Sequence, residues 1–307
     1  MSIVDHSMPD TTVPVVDTPL RRFARDFASS RVATAGAVLL LLLILAAIFA
    51  PVIAPQNPYD LSQIDIMDSR LAPGEAAMDG ETRYLLGTDE QGRDMLSAIL
   101  YGLRISILVG VSSTVIALAI GLTLGLLAGY FRGRVDAVIM RVADIQLSFP
   151  PILVALILLA LTGPGVGKII IALVAVQWAY YARTARSAAL VERGREYIEA
   201  ANGLGLSPIR IVFRHLLPNC LPPLIVIAAL QVASAISLEA TLSFLGLGLP
   251  VTEPSLGLLI ANGFDYMMSG KYWISLFPGL MLLLTVVAIN LVADQLRDVL
   301  NPRLQTQ

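Results

Sequence analysis

"GREYIEAANGLGLSPIRIVFRHLLPN", residues 194–219, carries five charges and two prolines in a chain that is otherwise mostly apolar. What flanks it decides the fold, because a polar stretch between two lipid-crossing segments has to lie on one side of a membrane. After it, residues 216–238 contain no Asp, Glu, Lys or Arg; before it only 169–182 are charge-free, between Lys168 and Arg183. That is short of the roughly 20 apolar residues that cross about 30 Å of hydrocarbon. A helix there can continue through Ala182 to Leu190 with its arginines reaching the interface, and we read it as a span.

Working outward, residues 32–59, 105–131, 145–167 and 272–293 are also charge-free, which makes six spans in all. Hydrophobic residues make up 56% of the 307 and charged ones 14%, against about a quarter in soluble domains. Continuous runs of Leu, Ala and Ile, without period-two alternation, exclude a membrane β-barrel. The expected fold is an all-α bundle of six transmembrane helices with both termini on one side.

The Lys/Arg balance says which side. The N-terminal segment, the second and fourth loops and the tail hold 15 of the 21 basic residues, six of them between Arg183 and Arg214. The other face has Arg70, Arg83, Arg93, Arg104, Lys168 and Lys271, and its first loop is rich in acids from Asp60 to Asp94. The termini and the 194–219 insert are therefore expected in the cytoplasm. The expected organisation is a cytoplasmic segment over 1–31, a first span over 32–55 read as an uncleaved anchor, and an extracytoplasmic loop over 56–102. A five-span core over 103–297, with its cytoplasmic loop at 191–220, and a tail over 298–307 complete it.

Chemistry is sparse. One cysteine, Cys220, and two histidines, His6 and His215, allow neither a disulfide nor a Cys/His metal site. A net charge of -2 offers no basic patch for nucleic acid. "TGPGVGKII", 162–170, imitates a phosphate loop but has Thr162 where Gly is needed and Ile169 where Ser or Thr is needed; it reads as a turn between the third and fourth spans. Glu239 lies inside an apolar stretch, about 27 Å along its helix if that begins near Leu221; a structural or snorkelling role is expected, with a functional one as rival. Asp144 and Arg141, three apart, are expected to pair. Pro150 and Pro151 interrupt the third span, and Gly110, Gly121, Gly125 and Gly129 stud the second, as close helix packing requires.

Within the insert, Glu196–Asn202 has good helix formers, ended by Gly203 and Gly205. Ser207 offers a cap and Pro208 a first helical position for a second helix running toward Leu216, with Leu217 and Pro218 at the entry to the next span. Small side chains at Ala200, Ala201 and Gly205 would admit another protein's groove. Local features leave two readings open: a docking element, or an amphipathic helix on the lipid headgroups.

The spacing is more specific. Glu199, Ala200 and Ala201, three residues, Gly205, nine residues, one variable position, one residue, then Leu217 and Pro218 resembles the EAA loop of the membrane subunits of bacterial ATP-binding cassette importers. His215 stands where that pattern has Ile, and "RHLLPN" is similar to the form in the peptide and nickel branch. "LLGTDEQGRDMLSAILYGLRISILVG" (85–110), "MRVADIQLSFP" (140–150), "LEATLSFLGLGLP" (238–250) and "FPGLMLLLTVVAINLVADQLRDVLNPR" (277–303) resemble further segments of that branch's C-type permeases. "LPVTEPSLG" after Gly248 departs from it.

The resemblance implies an inner-membrane, non-enzymatic transport subunit carrying a di- or oligopeptide. It would pair with a second permease and two cytoplasmic ATPases that bind ATP and Mg, and receive solute from an extracytoplasmic binding protein; no cofactor belongs to this chain. It also implies a coupling helix, with Glu196, Glu199, Ala200, Ala201, Gly205, Leu217 and Pro218 meeting an ATPase. The rival from another class is an autonomous ion-coupled transporter using Glu239 or Asp144.

Overall fold

The computed structural model describes residues 18–80 and 82–300. The first part of the 1–31 segment, with His6, and the end of the 298–307 tail, with Arg303, lie outside the described residues. Those described are helical wherever they are regular; two isolated bridges, Ala76 with Arg83 and Thr88 with Asp94, occur in the loop before Met95.

The chain opens with α1 (Pro19–Ala28), then α2 (Arg31–Ile48), whose Ser30 accepts a hydrogen bond from the Ala33 amide at 3.2 Å as an N-cap. A short α3 (Ala50–Ile53) follows. The loop that follows runs to Asp94, whose carboxylate accepts from the Ser97 amide at 2.8 Å and starts α4 (Met95–Phe131). This 37-residue helix begins inside the loop drawn to residue 102. Counting charge-free runs stops at Arg104, yet Arg104 is exposed and the helix passes straight through it.

After α4 come α5 (Gly133–Leu147) and α6 (Pro151–Thr162), bent by 88° where Pro150 and Pro151 remove two helix donors. The glycine turn at 163–165 leads into α7 (Val166–Arg193), with the Gly165 amide donating to the Gly248 carbonyl at 3.1 Å. Next are α8 (Glu196–Gly203), α9 (Pro208–Arg210) and a π-helical turn (Ile211–Leu216) continuous with α10 (Leu217–Phe244). The chain closes with α11 (Leu256–Phe264) and α12 (Trp273–Leu300). By length and composition, α2, α4, α9 through α10, and α12 are long and apolar enough to cross a membrane, and the bent α5–α6 pair makes a fifth.

Helix α4 is the spine, and its main partner is α7. A Cβ on Gly121 would lie 2.4 Å from the Trp178 carbonyl, one on Gly125 2.3 Å from that of Ala182, and one on Gly129 2.6 Å from the Ala189 Cβ. Three glycines four apart thus line one stripe of α4 and meet Ala182, Ala185 and Ala189 on α7 at backbone distance. This is the packing that small residues permit in lipid, where dispersion replaces the hydrophobic effect. Gly110 likewise faces Ile236 of α10, 2.6 Å from where its Cβ would be. Around this spine, α12 packs on α2, α10 and α11. Ile274, Leu256, Met95 and Leu103 fill the end of the bundle at the start of α4, while Leu126, Tyr181, Leu216 and Leu224 fill the end beside the 194–219 insert.

Of two expectations for charged residues, that for Glu239 is narrowed and the Asp144–Arg141 pair is corrected. Glu239 is fully buried and does not snorkel; it accepts hydrogen bonds from Ser106 of α4 at 2.9 Å and Ser243 one turn on at 2.8 Å. Asp144 does not pair with Arg141, which is exposed. The 88° bend presents Asp144 to α7 instead, where Arg183 Nη2 sits 2.6 Å from Oδ1. Both of these side chains are more than half exposed, so Asp144→Asn should cost no more than about 1 kcal/mol. Melting in detergent checks this: a shift in Tm of more than a few degrees would contradict a solvent-screened pair.

Candidate functional site

The 194–219 insert folds onto the C-terminal ends of α4 and α7. Glu196 and Glu199 occupy the first turn of α8, where carboxylates complement the helix dipole. Ile198 and Ala201, three apart and so on one face, are buried with Ile211 of the π turn against Tyr130 of α4 and Leu206. Arg193 lies over the Tyr130 ring at 5.8 Å. The Tyr197 hydroxyl donates to Glu192 at 2.7 Å; burial and this bond to a carboxylate push the phenol up to about 12. Helix α8 is thus anchored to both members of the spine.

Its end is a Schellman turn. The Leu206 amide donates to the Ala201 carbonyl at 3.2 Å and the Gly205 amide to Asn202 at 3.0 Å, with Gly205 at φ +69°. Leu206 packs back on Ala201, the contact that usually accompanies this motif. A Cβ on Gly205 would meet nothing within 4 Å, so within this chain the glycine is required by its left-handed backbone and not by crowding.

Ser207 precedes the next helix in extended conformation, but its side chain makes no capping bond, and Pro208 takes the first helical position. The chain then widens into a π turn, with the Leu217 amide donating to Val212 five residues back. Pro218, lacking an N–H, cannot serve the Arg214 carbonyl, and Asn219 Nδ2 donates to the His215 carbonyl at 2.7 Å. Such π turns often occur at functional sites. His215 is half-buried within it.

Of the predicted site residues, Glu196, Glu199, Ala200 and Gly205 are exposed together beyond the C-terminal ends of α4 and α7, and Pro218 is exposed at the start of α10. Ala201 is corrected: it is 4% exposed and belongs to the internal face of α8. Leu217 is half-buried against the inner core. Three apolar residues that the sequence reading passed over, Leu204, Ile209 and Phe213, are 79%, 73% and 54% exposed beside them. Their signal was there: Ile209 and Phe213 are four apart on one helical face in an otherwise polar insert.

Residues 121–306 match the binding-protein-dependent transport system inner membrane component family, and residues 18–73 match the N-terminal TM domain of oligopeptide transport permease C. The chain belongs to this family of importer permeases.

The permease is 41% identical over 301 residues to the di/tripeptide transport system permease protein DppC of Pseudomonas aeruginosa, covering 98% of each chain. It is 43% identical over 294 residues to the dipeptide transport system permease protein DppC of Escherichia coli K12, covering 96% of each. A solved inward-facing structure of the MetNI methionine ABC transporter superposes with a TM-score of 0.55 at 22% identity, over 67% of this chain and 97% of that one, a likeness of fold. The permease is accordingly an inner-membrane component of a bacterial ATP-binding cassette importer.

The sites of the rival reading are not brought together. Glu239 is enclosed by Ser106 and Ser243 near the C-terminal end of α10, while Asp144 is exposed and paired with Arg183. Among the described residues, no group of three or more His, Cys, Asp or Glu is placed to hold a metal.

Proposed function

We propose that this chain forms half of a translocation path for di- or oligopeptides and couples it to separate ATPases through α8. The observation that carries this is the exposed face of α8: Glu196, Glu199, Ala200 and the Gly205 turn project where both members of the spine end, next to Leu204, Ile209 and Phe213. An apolar rim beside two carboxylates suits a protein groove with basic edges. Peptide as cargo rests on the relatives named for peptide transport at 41% and 43% identity.

In this reading both termini and α8 are cytoplasmic and six helices span, with α7 as the sixth. Its 28 residues give about 42 Å of length, and the seam to α4 shields it. Two ATPases supply ATP and Mg binding, a second permease completes the path, lipid surrounds the bundle, and a binding protein delivers solute to the outer loop. Closure of the ATPases on ATP displaces α8 and shifts the bundle between outward-facing and inward-facing states. The chain itself hydrolyses nothing.

The test is a pair of variants in the reconstituted complex. Gly205→Val forces a β-branched residue to φ +69°, where L-residues cost about 1–2 kcal/mol or more, and should abolish the turn and reduce co-purifying ATPase at least about tenfold. Glu199→Ala removes one exposed contact and should weaken capture by roughly 1 kcal/mol. Membrane insertion should be unchanged in both. Full capture and solute-stimulated ATP turnover by Gly205→Val, or uptake by the isolated chain driven by a proton or sodium gradient, would overturn the reading.

A further inference from the structure

At mid-length of the bundle, α7, α10 and α12 enclose an open cavity of ≈ 480 Å³. Its lining is unusual for residues at membrane depth: Gln177 from α7, Gln231, Ser234, Ser237 and Thr241 from α10, and Asn290 from α12. None is ionisable. Gln177 is 3% exposed; its Nε2 donates to the Gln231 carbonyl at 3.3 Å, while its Oε1 has no partner. The side-chain amides of Gln231 and Asn290 make no hydrogen bond among the described residues. The three hydroxyls donate to carbonyls of their own helix, Ser234 to Leu230, Ser237 to Ala233 and Thr241 to Ser237, which leaves their oxygens free to accept.

Unpaired carboxamides are not stable against hydrocarbon, so this hollow has to face water or a polar partner. The charged residues of the chain are elsewhere: Glu239, in the same helix, is turned away and enclosed by Ser106 and Ser243, and Arg183 and Arg186 engage Asp144 and Asp136 toward the C-terminal end of α7. A wall that offers both donors and acceptors and no net charge can exchange hydrogen bonds with amide groups. It adds little Coulombic preference for either sign of charge.

Resting on the reading of the chain as a peptide permease, we infer that this cavity is the chain's own portion of the solute path. Gln177, Gln231 and Asn290 there engage the peptide backbone, so that passage is indifferent to the charge of the peptide's side chains.

Putting a charge into the wall tests this. The complete importer, with its ATPases, second permease and binding protein, is reconstituted in vesicles, and uptake of Ala-Glu and Ala-Lys is measured for wild type, Asn290→Asp, Gln231→Glu and Asn290→Lys. The binding protein's own preference cancels when each variant's uptake ratio is divided by the wild-type ratio. The Asp and Glu variants, close in shape to the residues they replace, should lower the Ala-Glu to Ala-Lys ratio on the order of tenfold, and the Lys variant should raise it on the same order. Ratios unchanged in all three variants while uptake persists would overturn the inference. So would unchanged ratios with loss of the second permease from the complex, which would make the polar wall an interface between subunits. A wild-type importer that takes up neither dipeptide overturns the cargo reading instead, a result distinct from variants that fail to discriminate.

Discussion

Gly125→Leu is expected to leave little folded protein in detergent, and to shorten the lifetime of what does fold. A Cβ at this position falls 2.3 Å from the Ala182 carbonyl, 2.6 Å from the Ala185 Cβ and 3.0 Å from the Arg186 amide. These are mostly backbone atoms of a 28-residue helix, so no rotamer change can yield the space. Overpacking a well-packed site costs about 1–3 kcal/mol when side chains can shift, and here α4 and α7 would have to part along their seam. The measurement is thermal unfolding of the purified chain, with Gly279→Ala as control, because nothing lies within 4 Å of a Cβ at residue 279. The control should melt at or above the wild-type temperature, since alanine is the better helix former by about 1 kcal/mol. Equal Tm values for Gly125→Leu and the control would show that the seam does not hold the bundle.

The second large effect is expected in the loop between α3 and α4. Asp89 and Arg93 are each about 1% exposed, with Arg93 Nε 2.6 Å from Asp89 Oδ2. Asp89 Oδ1 also accepts from the Gln91 and Arg93 amides, both at 2.9 Å. Arg93→Met would strand a carboxylate out of water, and breaking one side of a buried pair costs about 3–5 kcal/mol. The loop leading into α4 should then become sensitive to protease at temperatures where α10 and α12 stay protected. Combining it with Asp89→Asn should recover part of the loss by removing the stranded charge. A double variant as labile as Arg93→Met alone would mean that the two residues act separately.

The sequence carried much of this fold, and where it failed the failures share a cause. The charge-free runs located the long helices because lipid forces apolar residues to be continuous, and the helix end at Gly205 was legible because a Schellman turn needs glycine at a fixed offset. What could not be read was contact between distant segments. The partner of Asp144 is Arg183, brought within reach by a bend of 88° whose angle the Pro150–Pro151 pair announces but does not set. Glu239 lost its place at the interface to Ser106, a residue more than a hundred positions away.

Ala201 was a different kind of miss. It was assigned by pattern to the outward surface, although its spacing from Ile198 already placed both on one face of α8. The polar wall of Gln177, Gln231 and Asn290 went unnoticed because each sits alone in an apolar run, and only the assembled bundle sets them side by side.

The glycine seam has a mechanical meaning as well. Side chains between two helices act as a compliant layer, since rotamers can turn and absorb a displacement before it travels. Between α4 and α7 that layer is missing over Gly121, Gly125 and Gly129, where backbone rests on backbone. The two helices therefore form one strut, about 55 Å long along α4, without play between its halves. One end carries α8; at the other the Met95 amide is fastened to the Gly87 carbonyl at 3.0 Å, in the loop that the Asp89–Arg93 pair stiffens. A nudge at the α8 end arrives at the Met95 end with little lost on the way.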